Sequence, residues 1–269
     1  MSASNLPKGW LNSVVNMDCV QGMKKIPSGS VSLVVADPPY NLNKDFGEWK
    51  ELEQKDNWLP WSKLWLDEAA RILKPDGSVF VYGIHHHLCW IQCYMYEIGL
   101  KYRRQIIWNY ENGFSGYKRT LAAHYEPLLW FSKTDHYIYH DIREPYKSVE
   151  RLKHKVTKNG KSWTPNPLGR MAGDVWRFPV LAGKRFSAEK VDHPTQKPLS
   201  ISTRIIKHFS NPGDLVVVPF TGSGSECVAA KAAKRTFVGF ELNPKYVKIA
   251  TDRLDSVGKT DDLLSGLER

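Results

Sequence analysis

Four consecutive residues, Asp37-Pro38-Pro39-Tyr40, carry the densest chemistry in this chain of 269 residues. They follow the apolar run Val31, Leu33, Val34, Val35, Ala36, which reads as a parallel strand buried on both faces. Ligands of open α/β sheets bind outside the carboxyl ends of such strands. Two prolines fix φ and remove two N–H donors, so pairing stops and a stiff loop with spare carbonyls begins. On that loop the Asp37 carboxylate can accept an N–H bond, and the Tyr40 ring offers a face for stacking. The expected ligand is flat and amine-bearing, such as a nucleobase. For the four residues taken alone, a stiffened turn with an Asx-type aspartate is the alternative.

A second constellation lies near the other end. The run Asp214–Val218 is followed by Pro219-Phe220-Thr221-Gly222-Ser223-Gly224-Ser225, a strand, a glycine turn and a helix start. Glycines let the backbone approach a ligand closely, and a helix N-terminus offers unpaired N–H groups to a negative group. Glu241 follows Gly222 by 19 residues, at the end of the next strand, where an acid grips ribose hydroxyls. Cys227 stands where a dinucleotide fingerprint has its third glycine, and no Gly-Lys-Ser/Thr follows as in a P-loop. A ribose-bearing cofactor with a carboxylate and no phosphate fits, which points to S-adenosylmethionine.

The elements that must position these residues alternate as α/β units. Strands are expected at Val14–Met17, Val31–Ala36, Ser78–Tyr82 and Gln105–Asn109, with helices over Trp61–Leu73 and His87–Ile98. Lys74-Pro75-Asp76-Gly77 reads as a helix stop followed by a turn. Between 111 and 190 the regularity is lost, and an insertion with two or three strands of its own is expected, Pro127–Phe131 among them. Helices over Leu199–Phe209, Ser225–Lys234 and Pro244–Leu254, with strands Asp214–Val218 and Thr236–Leu242, complete the pattern. The tail 257–269 is polar.

Composition narrows the partners. The chain is long enough for one large domain with an insertion, and no apolar run approaches a membrane span or a signal peptide. Cys19, Cys89, Cys93 and Cys227 lack C-x-x-C spacing, so reduced thiols in a cytoplasmic protein are expected. Net charge is +10. Residues 101–190 hold 18 Lys+Arg against 8 Asp+Glu, and the remainder 20 against 20, so the whole excess lies in the middle third. Cations interleaved with aromatics there suit a polyanion with stackable bases, a nucleic acid; a solvated basic face is the alternative. His85-His86-His87 with Cys89 and Cys93 lacks a second ligand pair, so no metal is expected. Trp61, Trp65 and Trp90 read as core, and Trp108 as a candidate wall of the base pocket.

With both sites in hand the chain resembles the DNA amino-methyltransferases, specifically the permuted β class, from about Asn16 to Leu254. Asp37-Pro38-Pro39-Tyr40 resembles their catalytic motif and Phe220-x-Gly222-x-Gly224 their cofactor loop. His193-Pro-Thr195-Gln196-Lys197-Pro198 is similar to the segment that holds the cofactor's methionine end, and Asp18-Cys19 to the pair at its adenine. Asn159–Pro167 through Asp174-Val-Trp176 resembles the middle of the MboII-type adenine enzymes. Two positions depart from the pattern: Val218 stands where the family commonly has Asp, and Ser225 where it has Thr.

The resemblance implies a Rossmann-like α/β fold with a mostly parallel, doubly wound sheet and a circularly permuted motif order. A catalytic half would span 1–110, a basic target-recognition region 111–190 and a cofactor half 191–256. Asp37, Pro38, Pro39 and Tyr40 would be catalytic. Asp18, Cys19, Asp37, His193, Thr195, Gln196, Lys197, Phe220, Gly222, Ser223, Gly224, Ser225, Glu241, Leu242 and Asn243 would hold the cofactor. Lys118, Arg119, Lys147, Arg151, Lys153, Lys155, Lys158, Lys161 and Arg170 are the candidate contacts to double-stranded DNA. Methylation of a flipped-out adenine at N6 is the expected activity, because Asp at the first motif position goes mostly with adenine and Ser with cytosine. N4-cytosine methylation and a non-catalytic nucleic-acid-binding relative are the alternatives. A restriction endonuclease and a second copy of the chain enter as partners by analogy only.

Overall fold

The computed structural model describes residues 6–42, 44–46, 50, 56–110, 119 and 121–258. In chain order these form β1 (Ser13–Asn16), α1 (Cys19–Met23), β2 (Val31–Ala36), α2 (Trp58–Ile72), β3 (Leu73–Tyr82), α3 (Leu88–Glu97), β4 (Lys101–Asn109) and β5 (Tyr125–Ser132). There follow β6 (Arg143–Glu144), β7 (Val156–Lys158), β8 (Lys161–Trp163), β9 (Arg170–Met171), β10 (Val175–Arg177), α4 (Leu199–His208), β11 (Leu215–Val218), α5 (Ser225–Ala232), β12 (Thr236–Glu241) and α6 (Pro244–Ser256).

One sheet organises the chain, in the order β1-β12-β11-β2-β3-β5-β4-β10. Every neighbouring pair is parallel except those made by β5, which runs antiparallel to both β3 and β4. Side chains alternate across it, and each face is covered by helices. Val34 and Ala36 pack with Trp65, Leu66, Ile91 and Met95 of α2 and α3 on one side. Leu33 and Val35 pack with Ile201, Ile205 and Val228 of α4 and α5 on the other. A parallel strand buried on both faces is apolar almost throughout, as β11 is and as β2 is apart from Ser32, which makes both legible in the sequence. Fully burying each such side chain contributes roughly 1.5–3 kcal/mol.

Two expectations are corrected. Pro127–Phe131 is a strand, but it belongs to the central sheet: within β5, Leu129 and Phe131 face one helical layer and Leu128 the other. The insertion's own strands are the short ribbons β6–β9 and β7–β8. Lys74–Gly77 is a bulge inside β3 rather than a free turn, since the register jumps from Val31↔Leu73 to Leu33↔Ser78. Lys74 anchors that bulge through Ser32 Oγ at 2.9 Å and Asp214 Oδ1 at 3.3 Å. Among the described residues no helix is long and apolar enough to cross a membrane.

Candidate active site

The chain leaves β2 towards β3 on one side and β11 towards β12 on the other, so strand order reverses between β2 and β11. At such a switch point the loops after two adjacent strands part and leave a crevice. Because β1, β12, β11 and β2 are parallel, Asp18, Glu241, Phe220 and Asp37 all emerge at the same edge. A cleft opens there, with about 950 Å³ of space between its walls, its open mouth included. The antiparallel β5 begins where its neighbours end, which brings Glu126 to the same edge.

The Asp37–Tyr40 loop is fixed from several sides. Trp58 Nε1 donates to the Pro39 carbonyl at 2.7 Å, and a ring nitrogen of His87 lies 2.8 Å from the Tyr40 carbonyl. The Pro38 carbonyl accepts nothing among the described residues. Tyr40 Oη donates to Asp37 Oδ1 at 2.6 Å and stands 3.2 Å from Glu126 Oε2. Burial, then the charges of Asp37 and Glu126, hold the Tyr40 phenol well above its usual pKa, so it remains a donor. Lys197 completes the cluster, its Nζ 2.9 Å from Asp37 Oδ2 and 3.4 Å from Glu126 Oε2. Burial alone would lower the lysine pKa, but Asp37 and Glu126 outweigh it and keep the ammonium charged. The rings of Tyr40 and Tyr82 lie 5.2 and 5.1 Å from that ammonium, a cation held between π faces.

The glycine loop forms the opposite wall. Gly222 has φ +49°, and a Cβ there would stand 2.8 Å from His193 Nε2, so only glycine lets the two segments meet. Its N–H donates to Glu241 Oε2 at 2.9 Å, while Asn243 N donates to Oε1 at 2.9 Å. Asn16 Nδ2 in turn binds the carbonyls of Glu241 and Leu242 at 2.9 and 2.7 Å. Asp18 caps α1 and Asn243 caps α6 through side-chain oxygens, which sets both at the rim of the cleft. Cys19, His193, Thr195, Lys197, Phe220, Ser223 and Leu242 also line it. Burial pulls His193 down to about 4 despite Asp37, so the imidazole is neutral at physiological pH. Carboxylates at both ends, a close glycine backbone and the rings of Phe46, Trp61 and Phe220 suit a nucleoside carrying positive charge, the chemistry of S-adenosylmethionine.

Other expected site residues point elsewhere. Gln196 ties down its own loop through Glu189 O and Val191 N, both at 2.9 Å. Ser225 Oγ donates to the Lys197 carbonyl at 2.7 Å, and Gly224 packs on Ala250 as the N-cap of α5; none of the three lines the cleft. Val218 sits in the apolar core beneath it. Trp65 is core as expected, but Trp61 lines the cleft beside Phe220 and Trp90 is exposed. Trp108 is buried outside the cleft wall, its Nε1 bound to Phe178 O at 2.7 Å.

The basic candidates Arg119, Lys147, Arg151, Lys153, Lys155, Lys158, Lys161 and Arg170 are all exposed, while Lys118 lies outside the described residues. Two are neutralised locally, Lys153 by Glu150 and Arg170 by Glu144, each at 2.7 Å. Sequence reasoning missed Glu126, which no local pattern distinguishes from a strand residue, and Glu226, a buried carboxyl in the cleft. His87 was legible only as a polar loop residue. Among the described residues no group of three or more His, Cys, Asp or Glu could hold a metal.

Residues 31–252 match the N6/N4 DNA methylase family. The chain belongs to that family. As a DNA methylase it is 34% identical over 249 residues to the type II methyltransferase M1.MboII of Moraxella bovis, covering 89% of this chain and 95% of that one. It is 32% identical over 249 residues to the DNA adenine methyltransferase YhdJ of Escherichia coli K12, covering 90% and 82%. Solved folds agree. The M1.HpyAVI–SAM complex superposes with a TM-score of 0.62 at 22% identity, over 90% of this chain and 98% of that one. The cytosine-N4-specific PvuII methyltransferase gives 0.68 at 20% identity, over 90% and 85%. The mostly parallel α/β sheet is thus the fold of this methylase class.

Proposed function

We propose that this DNA methylase modifies the exocyclic N6 of adenine within a specific double-stranded site. The observation that carries the proposal is the acceptor pair at the head of the Asp37 loop. The neighbouring carbonyls of Pro39 and Tyr40 are taken by Trp58 and His87, while the Pro38 carbonyl accepts nothing among the described residues. A base amine has two N–H groups, and Asp37 with Pro38 O offers two acceptors. Accepting both turns the nitrogen lone pair, otherwise delocalised into the ring, out of the base plane. Tyr40 and Lys197 hold the Asp37 carboxylate so that it meets the amine pre-oriented. Tyr40 also offers its ring to a base, which must leave the duplex to reach the cleft. The cofactor, S-adenosylmethionine, supplies an electrophilic methyl carbon when bound. Asp18 and Cys19 are assigned to its adenine end, Glu241 to its ribose, and His193 and Thr195 to its methionine end, whereas Lys197 is committed to Asp37 and Glu126.

DNA contact is assigned to the basic segment. Lys158 and Lys161 face each other across the β7–β8 hairpin, a pairing that like charges disfavour and a phosphate between them would relieve. The adenine name of YhdJ and the presence of Asp at position 37 support N6 over N4. The type II name of M1.MboII supports a restriction endonuclease as partner, while dimerisation rests on analogy. Mass spectrometry of nucleosides from DNA treated with enzyme and S-adenosylmethionine tests the proposal. N6-methyladenine is expected; N4-methylcytosine in its place overturns it.

A further inference from the structure

Glu226 opens α5 directly after the glycine loop, lines the cleft and is only 4% exposed. Nothing derived so far uses it. Ser202 Oγ donates to its Oε1 at 3.0 Å, and no Lys or Arg among the described residues comes within ion-pair range of it. An ionised carboxylate so placed is disfavoured by several kcal/mol unless a cation joins it. Its neighbour Asp37 already has Lys197. Asp37 and Lys197 are near enough for their charges to act on Glu226, which sets it at the Asp37 side of the cleft. Position 218, commonly acidic in the family, is a core valine here and offers no charge.

We propose that Glu226 is the carboxylate that binds the α-ammonium of the cofactor's methionine end. The assignment rests on S-adenosylmethionine as cofactor. The groups facing it are Asp37 and Lys197, Tyr82 of β3, Ser202 of α4, Cys227 of α5 and Arg253 of α6. Arg253 is committed to Ser223 O and Ser225 Oγ at 2.6 and 3.2 Å, which leaves the incoming ammonium as the counter-charge. Burial, then Asp37, push the Glu226 carboxyl up to about 7, so binding a cation should expel a proton.

Calorimetry with three probes tests this: S-adenosylmethionine, S-adenosylhomocysteine, and 5′-methylthioadenosine, which keeps the nucleoside and sulfur but lacks the amino acid. Glu226→Gln should weaken the first two by about tenfold or more and leave the third within about twofold. Near pH 6.5, wild type should release a proton on binding S-adenosylmethionine and the variant should not. Unchanged affinity for S-adenosylmethionine, or an equal loss for methylthioadenosine, overturns the assignment. Should the variant fail to fold, wild type decides it between pH 5.5 and 7.5, where an α-ammonium is still mostly charged. There S-adenosylmethionine should tighten with rising pH and methylthioadenosine should not; parallel behaviour overturns the assignment. Binding of methylthioadenosine by wild type shows the nucleoside site independently. Failure of all three probes removes the cofactor reading and this assignment together.

Discussion

The buried ammonium of Lys197 and the carboxylate of Asp37 form a single unit, 2.9 Å apart, with Lys197 only 5% exposed. Lys197 comes from the segment expected to hold the cofactor, yet its charge is spent on the Asp37 loop. It also reaches Glu126, so one buried cation serves two half-buried acids. Removing one partner of such a cluster leaves an uncompensated charge, a far larger effect than losing a surface pair.

Lys197→Met should therefore leave Asp37 and Glu126 facing each other with no cation between them. Their repulsion would push the Asp37 carboxylate out of position as an acceptor. We expect a loss of about 3–5 kcal/mol in stability and at least about a hundredfold in turnover. Thermal unfolding and single-turnover rates measure both; normal stability with normal turnover would sink the positioning role.

Asp37→Ala removes one of the two amine acceptors and leaves the nucleoside end of the cleft intact. Transfer to DNA should fall by about 10²–10³ or more, with affinity for S-adenosylmethionine changed far less. Labelled-methyl incorporation and calorimetry on the same preparation separate the two. Near-normal transfer would refute the assignment of Asp37.

Gly222→Ala combines a left-handed backbone, φ +49°, with a Cβ 2.8 Å from His193 Nε2. The backbone alone disfavours alanine by about 1–2 kcal/mol, and the clash displaces His193 from the cofactor wall. A weaker cofactor complex and a lower Tm are expected together. Unchanged affinity would show that the loop and the 193–197 segment move independently.

Replacing both Lys158 and Lys161 by alanine should weaken DNA binding uniformly across sequences. The slope of log K against log salt should shrink by about 2, without effect on cofactor affinity. Anisotropy titrations at several salt concentrations measure it. An unchanged slope means the hairpin does not touch phosphate.

Stability of the cofactor-free protein should show two opposed pH slopes. Glu226, raised by burial to about 7 from the ordinary 4.5 of a glutamate, keeps a proton in the folded state that the unfolded chain has released. Its contribution is full below about pH 4.5 and is lost as pH rises through 7, on the order of 3 kcal/mol. His193, lowered to about 4, acts oppositely: the unfolded chain takes up a proton first, and stability falls as pH drops below about 6.5. Denaturant melts of wild type and Glu226→Gln from pH 5 to 8 should therefore converge at low pH and separate above it, with wild type the less stable at pH 8. Parallel curves would contradict the burial of an ionisable Glu226.

The sequence alone determined the elements whose signals are local. β2 and β11 are apolar on both faces, the glycine turn has a definite chemistry, and the charge of the middle third can be counted. The same locality made Asp37-Pro38-Pro39-Tyr40 and Gly222-x-Gly224 legible as loops outside strand ends. What the tertiary structure decided is which distant residues meet. β5 looked like part of an insertion because its antiparallel place between β3 and β4 depends on edges that no local pattern describes. That placement carries Glu126 to Asp37 and Lys197, residues that only the sheet brings together. Likewise, Ser225, Gln196 and Lys197 all lie in loops expected to hold the cofactor. Packing turned the first two into structural anchors and aimed the third at the catalytic carboxylate, because buried charge is stable only beside its counter-charge.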